Sequence, residues 1–294
     1  MSARKLGPSC CTRLVKGTHG PFLLPAHFRR LFASHSPLLS RLCRVNLLPL
    51  LPPHALFHHS CFYCSYTPDE VASVQVTHLP AGTTTDSLAL GAINLLRGTF
   101  DVVTGYDASK PFAADKYLTR MIFLESVAGC PGLVGAACRH LKSLRTLKRD
   151  NGYIHTLLEE AENERMHLLT FCQLRNPGIF FRSAVLLTQG VFFNAYFLAY
   201  LTSPRFCHKL VGYLEEEAVK TYTHCIKDID EGSSPSMKEW QTLPCPEIGK
   251  KYWRLGDKAT MRDLILAVRA DEAIHRDVNH TLSELPASAP NPFL

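Results

Sequence analysis

The first 68 residues of this 294-residue chain contain no Asp or Glu, against eight Lys or Arg; the first acid is Asp69. The formal net charge of +6 is therefore concentrated in the N-terminal stretch. The remainder is close to neutral and gives no support for a nucleic-acid-binding surface. Strand-like alternation of apolar and polar residues is scarce throughout, which argues against a sheet. Paired cysteines are lacking too. Of eleven, Cys10, Cys11, Cys43, Cys61 and Cys64 lie near the N-terminus, and Cys130, Cys138, Cys172, Cys207, Cys225 and Cys245 follow no metal or disulfide-framework spacing. Cys61 and Cys64 have redox spacing but neither a second pair nor a βαβ context. Free thiols suit a reducing compartment.

What is present begins with the acid-free stretch. Arg29, Arg30, Arg41 and Arg44 space apolar residues among Ser, His and Leu, the composition of a mitochondrial transit peptide. A disordered tail is the plainer alternative. No apolar core with a small-residue cleavage site marks a secretory signal. Residues 1–66 are read as transit peptide and disordered arm, with cleavage between His54 and Thr67, and residues 67–294 as one folded domain.

The domain reads as all-α, with about six helices. Asp86–Leu96 is apolar after good N-cap residues. Tyr117–Arg149 is a long helical pattern that Pro131 should kink without ending. Tyr153–Arg175 ends at Asn176-Pro177-Gly178. Ser183–Pro204 holds no charged residue, so length and apolarity suggest a spanning helix. Gln189, Asn194, Tyr196 and Tyr200 within it favour a helix lying in one leaflet instead. Arg205–Ile229 is a further helix, Glu231–Pro246 a loop, and Lys258–Leu285 the last helix.

Two helical segments carry Glu-x-x-His: Glu164–His167 and Glu272–His275. Residues i and i+3 share a helix face, so each pair can offer a carboxylate and an imidazole to one metal. Two such motifs, with one Glu from each of two further helices, make a four-helix carboxylate di-iron site. Hard carboxylates bridge two irons, and imidazoles complete the coordination while leaving positions open for O₂. Glu125 sits in the apolar stretch Ile122–Ala128, where an unpaired carboxylate is costly to bury; a buried ion pair with Arg120 is the alternative. Of Glu215-Glu216-Glu217 only one can face the core fully. Glu215 shares a face with Tyr222, leaving Glu216 and Glu217 for the surface or the surroundings of the site.

The segments Leu124–Gly132, Asn163–Leu168, Leu214–Ala218 and Arg269–His280 resemble, in order, the four signature boxes of the mitochondrial alternative oxidases, and the body looks most like the trypanosomal type. The resemblance spans about Leu96–Leu282. Ser126, Cys130 and Ile274 depart from the usual Thr, Val and His, and Met121 from a Cys, none at an expected ligand.

The resemblance implies a ferritin-like four-helix di-iron carboxylate bundle with about two additional membrane-facing helices, bound monotopically. It implies a cyanide-insensitive ubiquinol oxidase that reduces O₂ to water without proton pumping. The matrix side of the mitochondrial inner membrane and a homodimer are implied likewise, with His140, Leu144, Arg145, Arg165, Leu168 and Gln189 at the dimer face. Two Fe ions would be held by Glu125, Glu164, Glu215 and Glu272, with His167 and His275. Asn163, His208 and Asp271 would surround them. Arg97, Asp101, Arg120, Leu124, Leu214, Ala218 and Thr221 would bind ubiquinol, and Tyr222 would be catalytic or merely packed. Competing readings are a di-iron hydroxylase or desaturase, and a non-enzymatic iron-storage bundle.

Overall fold

The computed structural model describes residues 65–286 and 289–293. The expected transit peptide up to residue 64, and its five cysteines, lie outside the described residues. Among those described there are nine helices and no strand, beyond an isolated backbone bridge between Pro244 and Thr260. Six helices are long: α2 (Thr84–Thr104), α3 (Ala114–Thr146), α4 (Tyr153–Cys172), α5 (Ile179–Thr202), α6 (Pro204–Glu231) and α9 (Met261–Glu284). Three are short: α1 (Pro68–Ser73), α7 (Pro235–Trp240) and α8 (Glu247–Tyr252). The all-α expectation holds. The segment read as loop, Glu231–Pro246, contains α7, a single turn and a half set by the Ser234 cap and Pro235. The first apolar helix runs on to Thr104, eight residues past the expected Leu96.

Local chemistry fixes these limits. At the start of α2 the Thr83 side chain accepts from the Asp86 N–H while Asp86 accepts from the Thr83 N–H, a reciprocal capping box. Thr260 and Asp263 repeat it at α9. Ser203 caps α6 with Pro204 in its first turn, where a missing N–H costs nothing. Gly105 (φ 63°) and Gly232 (φ 59°) end α2 and α6 in the left-handed conformation. Helix α3 continues through Pro131.

Helices α3, α4, α6 and α9 form the bundle, with α3 packed on α4 and α6 on α9; α2 lies along α6, and α5 against α3 and α6. The α3–α4 crossing is close: a Cβ on Gly132 would stand 2.4 Å from the Leu157 carbonyl oxygen. Gly212 gives way in the same manner to the His280 ring on α9. One apolar cluster, including Tyr117, Phe171, Met237, Trp253 and Leu264, closes one end of the bundle. A second, including Ala89, Val134, Tyr196 and Val211, ties α2 and α5 to it.

Candidate metal centre

The bundle turns one face of each helix inward, and the carboxylates are there. Glu125 comes from α3, Glu164 and His167 from α4, Glu215 from α6, and Glu272 and His275 from α9; all six are buried. Ligand atoms of Glu125, Glu164, His167 and Glu272 lie within 4.8 Å of one another. Three carboxylates converge on one nitrogen: His167 Nδ1 is 3.3 Å from Glu125, 3.4 Å from Glu164 and 3.5 Å from Glu272. One N–H can satisfy only one of them. His275 Nδ1 lies 2.8 Å from Glu164 Oε1, but off the line of a hydrogen bond. Neither Glu164 oxygen nor His275 Nδ1 has a hydrogen-bond partner among the described residues. Buried polar atoms left this way are compatible with a bound ion between them.

The imidazole is oriented for that purpose. His167 Nε2 is 2.9 Å from Asp271 Oδ2. A carboxylate only accepts, so Nε2 carries a proton toward Asp271, and Nδ1 is the nitrogen turned toward the acids. Asp271 is itself held by Trp253 Nε1 at 2.7 Å, by Asn163 Nδ2 at 3.0 Å and by the Tyr66 hydroxyl. Asn163 also donates to the Tyr252 hydroxyl, 3.1 Å away, and Trp253 stacks on His167 with ring centroids 5.7 Å apart. Helix α8 exists to deliver this Tyr-Trp pair.

The charges interact as four buried acids must. Burial, then the Glu164 charge, pushes the Glu125 carboxyl well above the usual range. Burial and the Glu272 charge do the same to Glu215. Burial opposes ionisation of Glu164 as well, but His167 and His275 together outweigh it and hold that carboxyl low. Burial works against the His167 and His275 cations, and the surrounding acids more than offset it, raising both. Such a donor set fits hard divalent or trivalent metal ions.

Tyr222, on α6, donates its hydroxyl to Glu125. One residue back, Thr221 belongs to a second polar cluster. Arg97 donates to the Thr221 hydroxyl at 3.0 Å and to Asp101 at 2.7 Å. Arg120, 1% exposed, pairs with the same Asp101 and with the Thr104 hydroxyl. It does not pair with Glu125, so the alternative of a Glu125–Arg120 ion pair is excluded. Leu124, Leu214 and Ala218 are half-buried on α3 and α6; Leu214 packs on the cluster that joins α2 and α5, and Ala218 on the other.

Two expectations shift. Glu216 is not a surface residue: it is 2% exposed, accepting from the Leu79 N–H at 2.9 Å and contacting His78 and His280. His208 makes no hydrogen bond to an expected ligand among those described. It joins Tyr200 (3.3 Å) to Asn279 (2.9 Å), and Asn279 donates to Glu160 at 2.9 Å. Sequence reading missed Glu160, Trp253, Tyr252 and Tyr66. Glu160 was findable, being one turn before Glu164 on the same face; Trp253 follows a six-residue helix and has no periodic signal.

A family model described as alternative oxidase matches residues 66–284. The mitochondrial alternative oxidase of Aspergillus niger is 54% identical over 239 residues, covering 78% of this chain and 67% of the relative. Those of Neurospora crassa and Wickerhamomyces anomalus are each 48% identical, covering 82% of this chain and 70% and 73% of their own length. A metal-shaped acid cluster on four helices and similarity of this extent lead to one assignment: the chain belongs to the alternative oxidase family.

Proposed function

We propose that Glu125, Glu164, Glu215 and Glu272, with His167 and His275, hold a pair of iron ions, and that the Arg97–Asp101–Arg120–Thr221 pocket, with Leu124, Leu214 and Ala218 beside it, receives the ubiquinol ring. As an alternative oxidase the protein is a terminal respiratory oxidase, oxidising ubiquinol and reducing O₂. Bound iron supplies the redox capacity for reducing O₂. The convergence of three carboxylates on His167 Nδ1 carries the site reading. A hydroxylase or desaturase would use the same donors, but family membership favours the oxidase.

The chain's own residues divide the work. Asp271 fixes the His167 tautomer, aided by Asn163 and Trp253. Tyr222 donates to Glu125, and Arg97 with Thr221 offers paired donors to a quinol oxygen. The relatives are mitochondrial; residues 1–66 as transit peptide, residues 67–294 as the oxidase domain, and the matrix side of the inner membrane extend that location. Docking in one leaflet is supported by α5, where 11% of the most apolar window is buried, against 50% for α3. Exposed Leu141 and Leu144 on α3 support pairing of two copies.

The test is iron content with quinol-dependent, cyanide-insensitive O₂ uptake. A protein holding two irons that consumes no O₂ with ubiquinol overturns the substrate reading. An active, iron-replete Glu125→Ala variant overturns the ligand set.

A further inference from the structure

Tyr106 stands just after Gly105, which ends α2, with its ring packed edge-on against Phe112 and Tyr117. Its hydroxyl meets His224 Nδ1 on α6 at 2.8 Å. The other ring nitrogen, Nε2, faces Asp228 Oδ2 at 3.6 Å. Asp228 is 2% exposed and also accepts from the Tyr117 hydroxyl and the Phe112 N–H, each at 3.0 Å. At 3.6 Å the approach of His224 to Asp228 is a charge contact and not a hydrogen bond; with Tyr106 donating to Nδ1, the ring proton lies on Nε2, on the Asp228 side. The three side chains form an oriented Tyr–His–Asp line. At rest it has one acceptor nitrogen, and a carboxylate waits behind it.

The near end of the line reaches the quinol pocket. Arg97 links Tyr106 to Thr221, since it reaches both the Thr221 hydroxyl and the Tyr106 ring. Arg97 bonds that same hydroxyl at 3.0 Å, with its guanidinium 5.2 Å from the Tyr106 ring centroid. Arg120 lies over the ring at 4.3 Å. Burial raises the Tyr106 phenol despite the two guanidiniums over its ring, so it stays a neutral hydroxyl that can take up one proton as it passes on another. The far end approaches solvent: the His224 side chain is 12% exposed.

We propose that Tyr106 and His224 relay a proton away from the ubiquinol hydroxyl docked at Thr221 and Arg97. The proposal rests on the quinol reading of that pocket. Two quinols and one O₂ yield two quinones and two waters, so each quinol must lose two electrons and two protons. The electrons end on O₂. At the oxygen facing Thr221 the O–H bond breaks, and its proton passes to the Thr221 oxygen. The Thr221 hydroxyl passes its own proton to the Tyr106 oxygen, and Tyr106 gives its proton to His224 Nδ1. The imidazolium so formed is opposed by Asp228 and returns to neutral by losing a proton to water at its exposed edge. Thr221 Oγ1 donates to the Glu217 carbonyl at 2.9 Å, so in the relay its side chain must leave that bond and close on the Tyr106 hydroxyl. The protons consumed when O₂ becomes water replace those released, and the overall stoichiometry is unchanged.

A bracing role is the competing account: the same bonds pin the 105–113 segment onto α6. The charged and titratable groups around the line are Arg97 and Asp101 on α2, Tyr117 and Arg120 on α3, and Cys225 and Asp228 on α6. Tyr106→Phe keeps the ring under both guanidiniums and deletes only the hydroxyl. His224→Gly opens space for a free imidazole. Both variants are to be assayed as iron-loaded full chain with a short-chain ubiquinol, beside iron content and thermal midpoint. The relay predicts a fall in kcat on the order of 100-fold in each, with KM within about two-fold. It also predicts a pH-dependent limb in the kcat of the wild type that both variants lose. Millimolar imidazole should restore His224→Gly and leave Tyr106→Phe unrestored. Unchanged kcat, a loss confined to KM, or a loss that tracks iron or melting point without altered pH profile or imidazole rescue overturns the relay and leaves bracing. A wild type that binds iron but ignores ubiquinol is a separate outcome, overturning the substrate reading and the relay together.

Discussion

The Tyr222 hydroxyl on α6 donates directly to Glu125 on α3, whose other oxygen lies 3.3 Å from His167 Nδ1 on α4. Three helices are thus joined through one carboxylate. Burial, then the charge of Glu125, pushes the Tyr222 phenol far above its ordinary value, so it remains a protonated donor. Tyr222→Phe leaves a buried acceptor without its donor, which costs about 1–3 kcal/mol. Urea unfolding of the iron-free protein should show that loss, and the loaded enzyme should lose kcat with KM retained. Unchanged unfolding would mean that the bond contributes nothing in solution.

Close approach of α3 and α4 depends on a missing side chain. Gly132→Ala sets a methyl 2.4 Å from the Leu157 carbonyl and 3.1 Å from the Ala161 nitrogen. Backbone cannot yield as a side-chain tip can, so the expected cost is about 1–3 kcal/mol. Gly98→Ala on α2 meets nothing within 4 Å and should stabilise by about 0.5–1 kcal/mol, as Ala does for Gly inside a helix. Opposite shifts in thermal midpoint check the pair, and a neutral Gly132→Ala would show that the helices can part without cost.

Glu160 gives a pH dependence of definite sign. Burial, only partly offset by the His275 charge, raises its carboxyl from 4.5 to about 7. Burial holds its indirect partner His208 down at about 4 and neutral. A raised folded value means that the favourable contribution is complete below the unfolded value and disappears as pH rises through the folded one. Iron-free protein should therefore lose stability between about pH 4.5 and 7.5 by about 3 kcal/mol through this group. Glu160→Gln should flatten that slope. Glu164 and Asp271, both held low, act in the opposite direction and weaken the fold in acid. A Glu160→Gln slope equal to that of the wild type would refute the assignment.

The ligand helices were legible because their signals are local: Glu-x-x-His fixes a face by spacing alone, and a lone Glu125 among apolar residues advertises its cost. The start of α2 was legible from its Thr83 cap, and the end of α4 to within three residues from Asn176-Pro177-Gly178, whereas Gly105, which ends α2, went unread. Contacts made over long separations were not. Nothing near Trp253 in sequence reveals that its indole bonds Asp271 beside His167. Glu216 was left between the surface and the surroundings of the site because its partners, His78 and His280, are 138 and 64 residues away. Arg120 sat five residues from Glu125 and yet belongs to Asp101, since five residues along a helix point to different faces.

One-leaflet docking makes a prediction of its own. Leu187 and Val191 on α5 are 70% and 73% exposed, one turn apart on the same face, and Leu88, Leu95 and Val102 extend the apolar surface on α2. Burying one such side chain in lipid contributes about 1.5–3 kcal/mol, so losing two should weaken vesicle binding by roughly 100-fold or more. The double variant Leu187→Glu, Val191→Glu removes that gain and adds charge to the lipid face. It takes nothing from the proposed iron site, whose acids lie on α3, α4, α6 and α9. Co-sedimentation with anionic vesicles should fall steeply while helicity and iron content hold. Full retention on vesicles, with both measures native, would mean that α5 is not the docking face.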